Sequence, residues 1–502
     1  MLSILSEIIN AQNLLMMNVG IFAGIIIGAM PGLSVTFAVT VLLTLSVGLE
    51  SIPGMYLLLG AYVGGTYGGS ITAILINTPG TPNAAATVLD GYPLAKQGRA
   101  GDALKAALYG STIGGLLSAA ALIFLAPQLA KIVEVVASPE YFAICLFGLA
   151  ATISLSKDNI IKGLISAMLG LLFCCVGLDP AFATTRMIFG SRSLVAGFNS
   201  VTCMLGLFAL SQVLFECNAA RKAGDHAGTC GIKLTKSTLK LLDMLKYWKT
   251  ILKSSIFGII IGAIPGTGGT VSAMFSYNEA RRSSKHPEEF GKGSLEGVLA
   301  PETGNNAVTG ATMIPMLVLG IPGDAIMAIM LGALTMQGIT PGASLFKAGS
   351  IWVYAIMGGL ILINLFMLLQ GSLFIKLFVH VSRIPENILL PCIVTLCMMG
   401  AFAINNNLFQ NIVLVCFALA GYLMKKFDIP SIPFVIALVL GSLCETNLRR
   451  SLTVSHGDPF VFFKRPISCV VLLVSIALLF YPFIEKGIRM LREKRAKENT
   501  PK

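Results

Sequence analysis

The chain has 502 residues, of which 55% are hydrophobic and 12% charged, and its formal net charge is +12. Soluble domains carry roughly 25% charged residues, so this composition argues against a soluble enzyme and predicts an all-α polytopic membrane protein. Lys and Arg gather in cytoplasmic loops of such proteins, so the positive balance reads as topology and not as a nucleic-acid surface.

In chain order, the N-terminus lacks a basic n-region, carries Glu7, and shows no Lys or Arg before Lys96. It is therefore not expected to be a cleaved signal, and the mature chain is expected to begin near Met1. Apolar runs then recur almost to the end, for instance Val35–Val47, Leu194–Phe215 and Val470–Phe480. A spanning helix needs about 20 mostly apolar residues, which allows roughly ten to fourteen segments here.

Two stretches are nearly identical: "GIIIGAMPGLS" at Gly24–Ser34 and "GIIIGAIPGTG" at Gly258–Gly268. From GIII to PG only Met30 and Ile264 differ. A second pair follows, "ILINTPGT" ending at Thr81 and "LVLGIPGD" ending at Asp324. Each half thus carries at least two Pro-Gly breaks, each behind an apolar run. The expected organisation is a first transmembrane repeat at 1–217, a polar cytoplasmic linker at 218–249, a second repeat at 250–484 and a basic cytoplasmic tail at 485–502. Pro removes a backbone donor and Gly permits turns. Inside lipid the freed backbone groups must face protein or a water-filled cavity. The breaks therefore predict discontinuous or re-entrant helices.

Charge predicts opposite orientations for the halves. The first break is flanked by Glu7 and Glu50 without Lys or Arg, whereas Lys249, Lys253, Arg281, Arg282 and Lys285 flank its copy. The later breaks tend to reverse this, with Lys96, Arg99 and Lys105 after the first and only Lys347 after the second. The positive-inside rule then gives inverted repeats, which place broken helices of both halves around one midplane site. The stretch Arg221–Lys253 and the tail, with eight and seven basic residues, read as cytoplasmic faces.

Helix N-termini favour anions, and unwound carbonyls coordinate Na+ or a similar cation. The candidate substrate- or ion-binding residues are therefore Pro31, Gly32 and Ser34, with Thr36 beside them. Asn77, Thr78, Pro79, Gly80, Thr81 and Asn83 form a second group, and Pro265, Gly266, Thr267, Gly268 and Thr270 a third. In "APETGNNAVTGA" and the run after it they are Glu302, Thr303, Asn305, Asn306, Pro322, Gly323 and Asp324. Intramembrane carboxylates are costly and often functional, which makes Glu302 and Asp324 candidates for cation or proton coupling. The competing readings are a helix cap or a cytoplasmic loop for Glu302, and a dipole-stabilised helix start for Asp324.

Other features carry less. Eleven scattered Cys and four His show no ligand spacing, so no structural transition-metal site or disulfide framework is expected. The only metal expected is Na+ near the breaks. Gly-Gly pairs at 64–65, 68–69, 114–115 and 358–359 predict close helix contact. No Walker loop, HExxH or GxSxG occurs, which speaks against an enzyme.

These motifs resemble the large membrane subunit of the tripartite tricarboxylate transporter family. The likeness spans nearly the whole chain and includes "GIIIGAMPGLS", "YGGSITAILINTPGTPNAAATVLDGYPLAKQGRAG", "GIIIGAIPGTGG", "LAPETGNNAVTGATMIPMLVLGIPGD" and "GSLCETNLRRSLTVSHGDPFVFFKRPI". It implies a binding-protein-dependent secondary transporter of the bacterial inner membrane, importing tricarboxylates or related carboxylates on a Na+ or H+ gradient and needing no other cofactor. It also implies a small membrane subunit and a periplasmic solute-binding protein as partners, with a homodimer left open. Some family members carry an acidic residue where this chain has Thr81, so no carboxylate role transfers there. A passive organic-anion channel is the alternative reading.

Overall fold

A computed structural model describes residues 8–133, 136–154, 160–179, 182–223, 235, 237, 239–346, 350–381 and 386–480. The basic tail lies outside them, as does much of the polar linker. Among the described residues, six helices are long and apolar enough to cross a membrane. They are Ala11–Gly28, Ser51–Ile76, Pro82–Val133, Ser200–Asn218, Ile351–Leu373 and Ser431–Val454. Shorter apolar helices such as Val35–Ser46 and Ala325–Met336 alternate with them. The sequence expectation of an all-α polytopic protein is met, with one two-residue antiparallel strand pair, Gly177–Leu178 on Thr185–Arg186, among the described residues.

The chain forms two compact units, residues 1–134 with 199–423 and residues 135–198 with 424–502. Both pairs of Pro-Gly breaks belong to the first unit. There α1 (Ala11–Gly28) climbs to the first break, α2 (Val35–Ser46) returns, and α3 (Ser51–Ile76) runs to the second. Short α4 (Ala85–Leu94) and long α5 (Ala100–Val133) follow. The second half contains α6 (Trp248–Ala263), α7 (Gly268–Ser283), α8 (Leu295–Ala311), α9 (Met313–Leu319) and α10 (Ala325–Met336).

Small residues set the packing. A Cβ added to Gly20, Gly24 or Gly28 would lie 2.2–2.5 Å from the carbonyl oxygens of Leu57, Ala61 and Gly65 in turn. The contacts advance together along both helices, so α1 and α3 are parallel and touch backbone to backbone. Gly64 and Gly68 close the same seam from the other side, against Ile21 and Ile25. In the second half Gly258 lies against Gly304 and Gly262 against Val308, so α6 and α8 are likewise parallel. Without a hydrophobic force between helices in lipid, this close approach and its dispersion contacts are what hold such pairs. The chain reverses after each first break: Val35 comes back beside Gly65 and Ser46 beside Gly54.

The repeated Pro-Gly turns are also built alike. Gly32 and Gly266 have φ of +87° and +88°, the left-handed region that a side chain resists. Gly80 donates its amide to Gly69 at 3.1 Å and sits against Gly28, while Gly266 donates to Gly323 at 2.6 Å. Within each half, therefore, the second break folds back onto the start of the hairpin.

The two halves interlock through α3 and α8, whose residues are almost all buried. Tyr62 reaches Thr312 and Ser70 reaches Glu302, so position rises on one helix as it falls on the other. These two helices run antiparallel. Each hairpin arm then crosses to the other half, α2 packing on α10 and α7 on α4.

The second unit has its own core of Ala143, Phe462 and Leu472. Its polar centre is a ring of two arginines and two acids. Arg186 pairs with Asp179 at 3.4 Å and Glu445 at 2.7 Å, and Arg449 pairs with the same two at 2.9 and 2.7 Å. Each carboxylate is shared by both guanidinium groups.

Candidate functional site

Glu302 sits in the middle of α8 with no exposed surface. Its carboxylate is held by three hydroxyls from three helices: Ser70 of α3 donates to Oε1 at 2.5 Å, Thr87 of α4 donates to the same oxygen, and Ser111 of α5 donates to Oε2 at 3.0 Å. Gly114 on α5 lets the Thr303 backbone come close, since a Cβ there would stand 2.2 Å from the Thr303 carbonyl oxygen. Burying an ionised carboxylate costs several kcal/mol unless it is paired. Here, among the described residues, its side-chain partners are neutral hydroxyls and not a cation. The arrangement suits a carboxyl group that carries a proton, or one that shares its oxygens with a small cation.

The residues after Glu302 form a second polar group. Asn305 is 1% exposed, and neither its Oδ1 nor its Nδ2 has a hydrogen-bond partner. Asn306 donates to the Glu302 carbonyl at 3.1 Å, yet its Oδ1 is unmatched, as are the hydroxyls of Thr303 and Thr81. Buried polar atoms are nearly always hydrogen-bonded. Three of these four side chains lie on α8 and one at the second break, with Thr81 facing Gly69, Thr303 facing Gly110 and Asn305 facing Gly269, so Asn305 is the one turned toward α7. Across from Asn305, Thr270 donates to Asn83 Oδ1 at 2.8 Å, and Gly269 lies between the two asparagines.

Asp324 occupies the start of α10. Its Oδ1 accepts the Met327 amide at 2.8 Å as an N-cap, and its Oδ2 accepts the Tyr62 hydroxyl at 3.4 Å. The dipole-stabilised position expected as one alternative from the sequence is the geometry found. Ser34 caps α2 in the same way, accepting from the Phe37 amide at 3.1 Å. Thr267 instead donates its hydroxyl back to Ile261 and Ile264 at 2.5 and 2.9 Å.

The structure thus brings Asn83, Thr270 and Asn305 together across the two halves, and sets Gly266 against Gly323. Pro322 and Gly323 are buried, whereas Pro31 and Pro79 are half-buried. Asn77 and Thr78 are exposed at the end of α3, Asn77 with φ +60°, and the Thr78 hydroxyl lies 3.4 Å from the Ile76 carbonyl. Gly32 is exposed and lies beside the carboxylate of Glu216.

The tripartite tricarboxylate transporter TctA family matches residues 14–436. The chain belongs to this family. The family is that of the large subunit of tripartite tricarboxylate transporters, which works with a small membrane subunit and a periplasmic binding protein. Two relatives come from Agrobacterium vitis. A 52.8 kDa protein of the TAR-I ttuC' 3' region is 34% identical over 478 residues, covering 95% of this chain and 94% of the relative. A protein of the TAR-II ttuC' 3' region is 35% identical over 230 residues, covering 45% of this chain and 95% of the relative. No solved structure matches the chain.

The hydroxyls around Glu302 escape the sequence reading of this TctA-family chain because Ser70, Thr87 and Ser111 sit singly inside apolar helices. A weak signal exists, since Ser70 and Ser111 each follow glycine in "GGS" and "YGS". Asp90 also escapes. It is buried in α4 and accepts amides of Gly291, Gly293 and Ser294 at 2.8–2.9 Å and the Tyr277 hydroxyl at 2.8 Å. It ties the loop that leads into α8 to the first half. Among the described residues, no group of three or more His, Cys, Asp or Glu is placed to hold a metal ion.

Proposed function

We propose that this chain is the translocating subunit of a binding-protein-dependent secondary transporter that imports tricarboxylates or related carboxylates into a bacterium across its cytoplasmic membrane. The observation that carries this reading is the joint construction of the polar centre. Glu302 of the second half is held by hydroxyls of the first, and Asn83 of the first half meets Thr270 of the second.

Antiparallel α3 and α8, and the matched seams Gly24–Ala61 and Gly258–Gly304, support an inverted repeat. In such transporters, substrate and coupling ion meet at discontinuous helices near the midplane. Glu302 supplies the coupling position, for H+ or for Na+, and the unpaired amides beside it supply substrate contacts. The basic segments, with the C-terminus among them, are assigned to the cytoplasmic side by the positive-inside rule. A passive organic-anion channel lacks a use for a caged carboxylate beside the path.

The test is uptake of a labelled carboxylate panel into proteoliposomes containing this chain and its small subunit. Loaded binding protein is supplied outside, with Na+ and H+ gradients imposed separately. Accumulation against a gradient that needs one of the two ions supports secondary transport. Equilibration independent of both would replace the reading with a channel.

A further inference from the structure

We propose that the N-terminus of α7, with the side-chain amides of Asn305 and Asn83, forms a subsite for one carboxylate group of the transported organic acid. This assignment rests on the transport reading and divides its site into an anion end and an ion end.

Four observations carry it. The 16-residue helix Gly268–Ser283 has no side-chain cap, because Thr267 turns its hydroxyl back to Ile261 and Ile264. Its leading amides have no intrahelical acceptor and carry the positive end of the dipole. Space adjoins them, since a Cβ on Gly268 would meet nothing within 4 Å. The amide of Asn305 is aimed at this turn: a Cβ on Gly269 would lie 2.3 Å from its Oδ1 and 2.6 Å from Asn83 Nδ2.

Asn305 is 1% exposed and both polar atoms of its side chain lack partners, an expensive state unless something binds there. Asn83 has its Oδ1 taken by the Thr270 hydroxyl at 2.8 Å, which leaves its Nδ2 as a donor facing the same point. Backbone amides and Asn83 Nδ2 converge as donors; Asn305 has Oδ1 nearest the turn, and because neither of its polar atoms is engaged, a half-turn of its amide presents Nδ2 to an anion. A helix N-terminus disfavours a cation. The chemistry selects an anion of planar, two-oxygen geometry.

The comparison with the other helix starts is instructive. Asp324 places its own carboxylate oxygen on the first turn of α10, and Ser34 places a hydroxyl oxygen on that of α2. The start of α7 is where the substrate's carboxylate takes the role that Asp324 plays at α10. Glu302 stays separate, one turn earlier on α8 and occupied by its three hydroxyls.

The experiment is thermal unfolding of the full chain purified with its small subunit. It is titrated with mono-, di- and tricarboxylates including citrate, and separately with NaCl against choline chloride. The wild type is expected to be stabilised by at least one carboxylate. Asn305→Ala should raise the half-saturating concentration about tenfold or more, the loss of a hydrogen bond to a charged group. Asn305→Asp and Asn83→Asp should abolish the response by placing like charge at the subsite, with the Na+ response retained.

Asn83 is half-buried, so its variants report even if those of Asn305 fail to fold. An unchanged carboxylate response in Asn83→Asp or Asn305→Asp would overturn the subsite. A tighter Na+ response in either would convert it to a cation site. If no carboxylate stabilises the wild type, the subsite falls, while the uptake assay decides the transport reading separately.

Discussion

The hydroxyl of Ser70 donates to the carboxylate of Glu302 at 2.5 Å across 232 positions of sequence. That bond joins the two helices that cross at the centre of the first unit, and it joins the two halves of the chain. Thr87 completes the same oxygen, so the pair of hydroxyls acts together. Thr87→Val keeps the shape and removes the donor, and should cost about 1–3 kcal/mol. Unfolding of the Thr87→Val protein measures this, and a Tm equal to wild type would show that Thr87 does not hold Glu302.

The parallel seams make a stability prediction that is the same in both halves. A Cβ on Gly28 would lie 2.4 Å from the Gly65 oxygen, and one on Gly262 would lie 2.8 Å from the Ala311 Cβ. Backbone cannot yield as a side-chain tip does, so Gly28→Ala should destabilise by about 1–3 kcal/mol or more. Gly262→Ala, whose contacts are longer at 2.8 Å to Ala311 Cβ and 3.1 Å to the Val308 backbone, should cost less. Reversal of that order in unfolding measurements would contradict the packing described.

Asp90 holds three backbone amides of the loop before α8. Asp90→Ala should release them, at a cost of about 3 kcal/mol or more for a buried charge-assisted cluster. Hydrogen exchange is the direct readout: the amides of Gly291, Gly293 and Ser294 should lose protection first. Protection unchanged at these three amides would show that other groups hold the loop.

At Asp324, capping and coupling separate cleanly. Asp324→Ala removes the cap on α10 and should cost about 0.5–2 kcal/mol, whereas Asp324→Ser restores an acceptor. If Asp324 acts only as a cap, Asp324→Ser transports like wild type. Loss of uptake in a stable Asp324→Ser protein would assign it a part in coupling.

Much of this is legible in the amino-acid sequence alone. Low charge and long apolar runs gave the helical membrane class, and the repeated Pro-Gly motif gave the helix breaks at Gly28–Val35 and Ala263–Gly268. The Gly-Gly pairs at 64–65 and 68–69 do sit where backbones touch, and Gly359 packs against the Tyr56 ring. Gly358 does not, since its nearest neighbour is one Ile8 methyl at 3.5 Å. Hydroxyls of Ser70, Thr87 and Ser111 carry no periodic pattern, so their convergence on Glu302 depends on helix crossings that a linear reading does not encode. The placements of Asn77 and Ser34 are likewise visible only in the fold. Asn77 is exposed at the end of α3, and Ser34 caps its own helix.

The central claim is that Glu302 couples an ion to carboxylate movement within a site made by both halves. It is tested most directly by comparing Glu302→Gln with wild type in proteoliposomes, measuring concentrative uptake and carboxylate exchange side by side. Glutamine fits the space but has no titratable proton and binds a cation poorly. The expected result is exchange retained and gradient-driven accumulation lost. Accumulation at the wild-type level in Glu302→Gln would contradict the account.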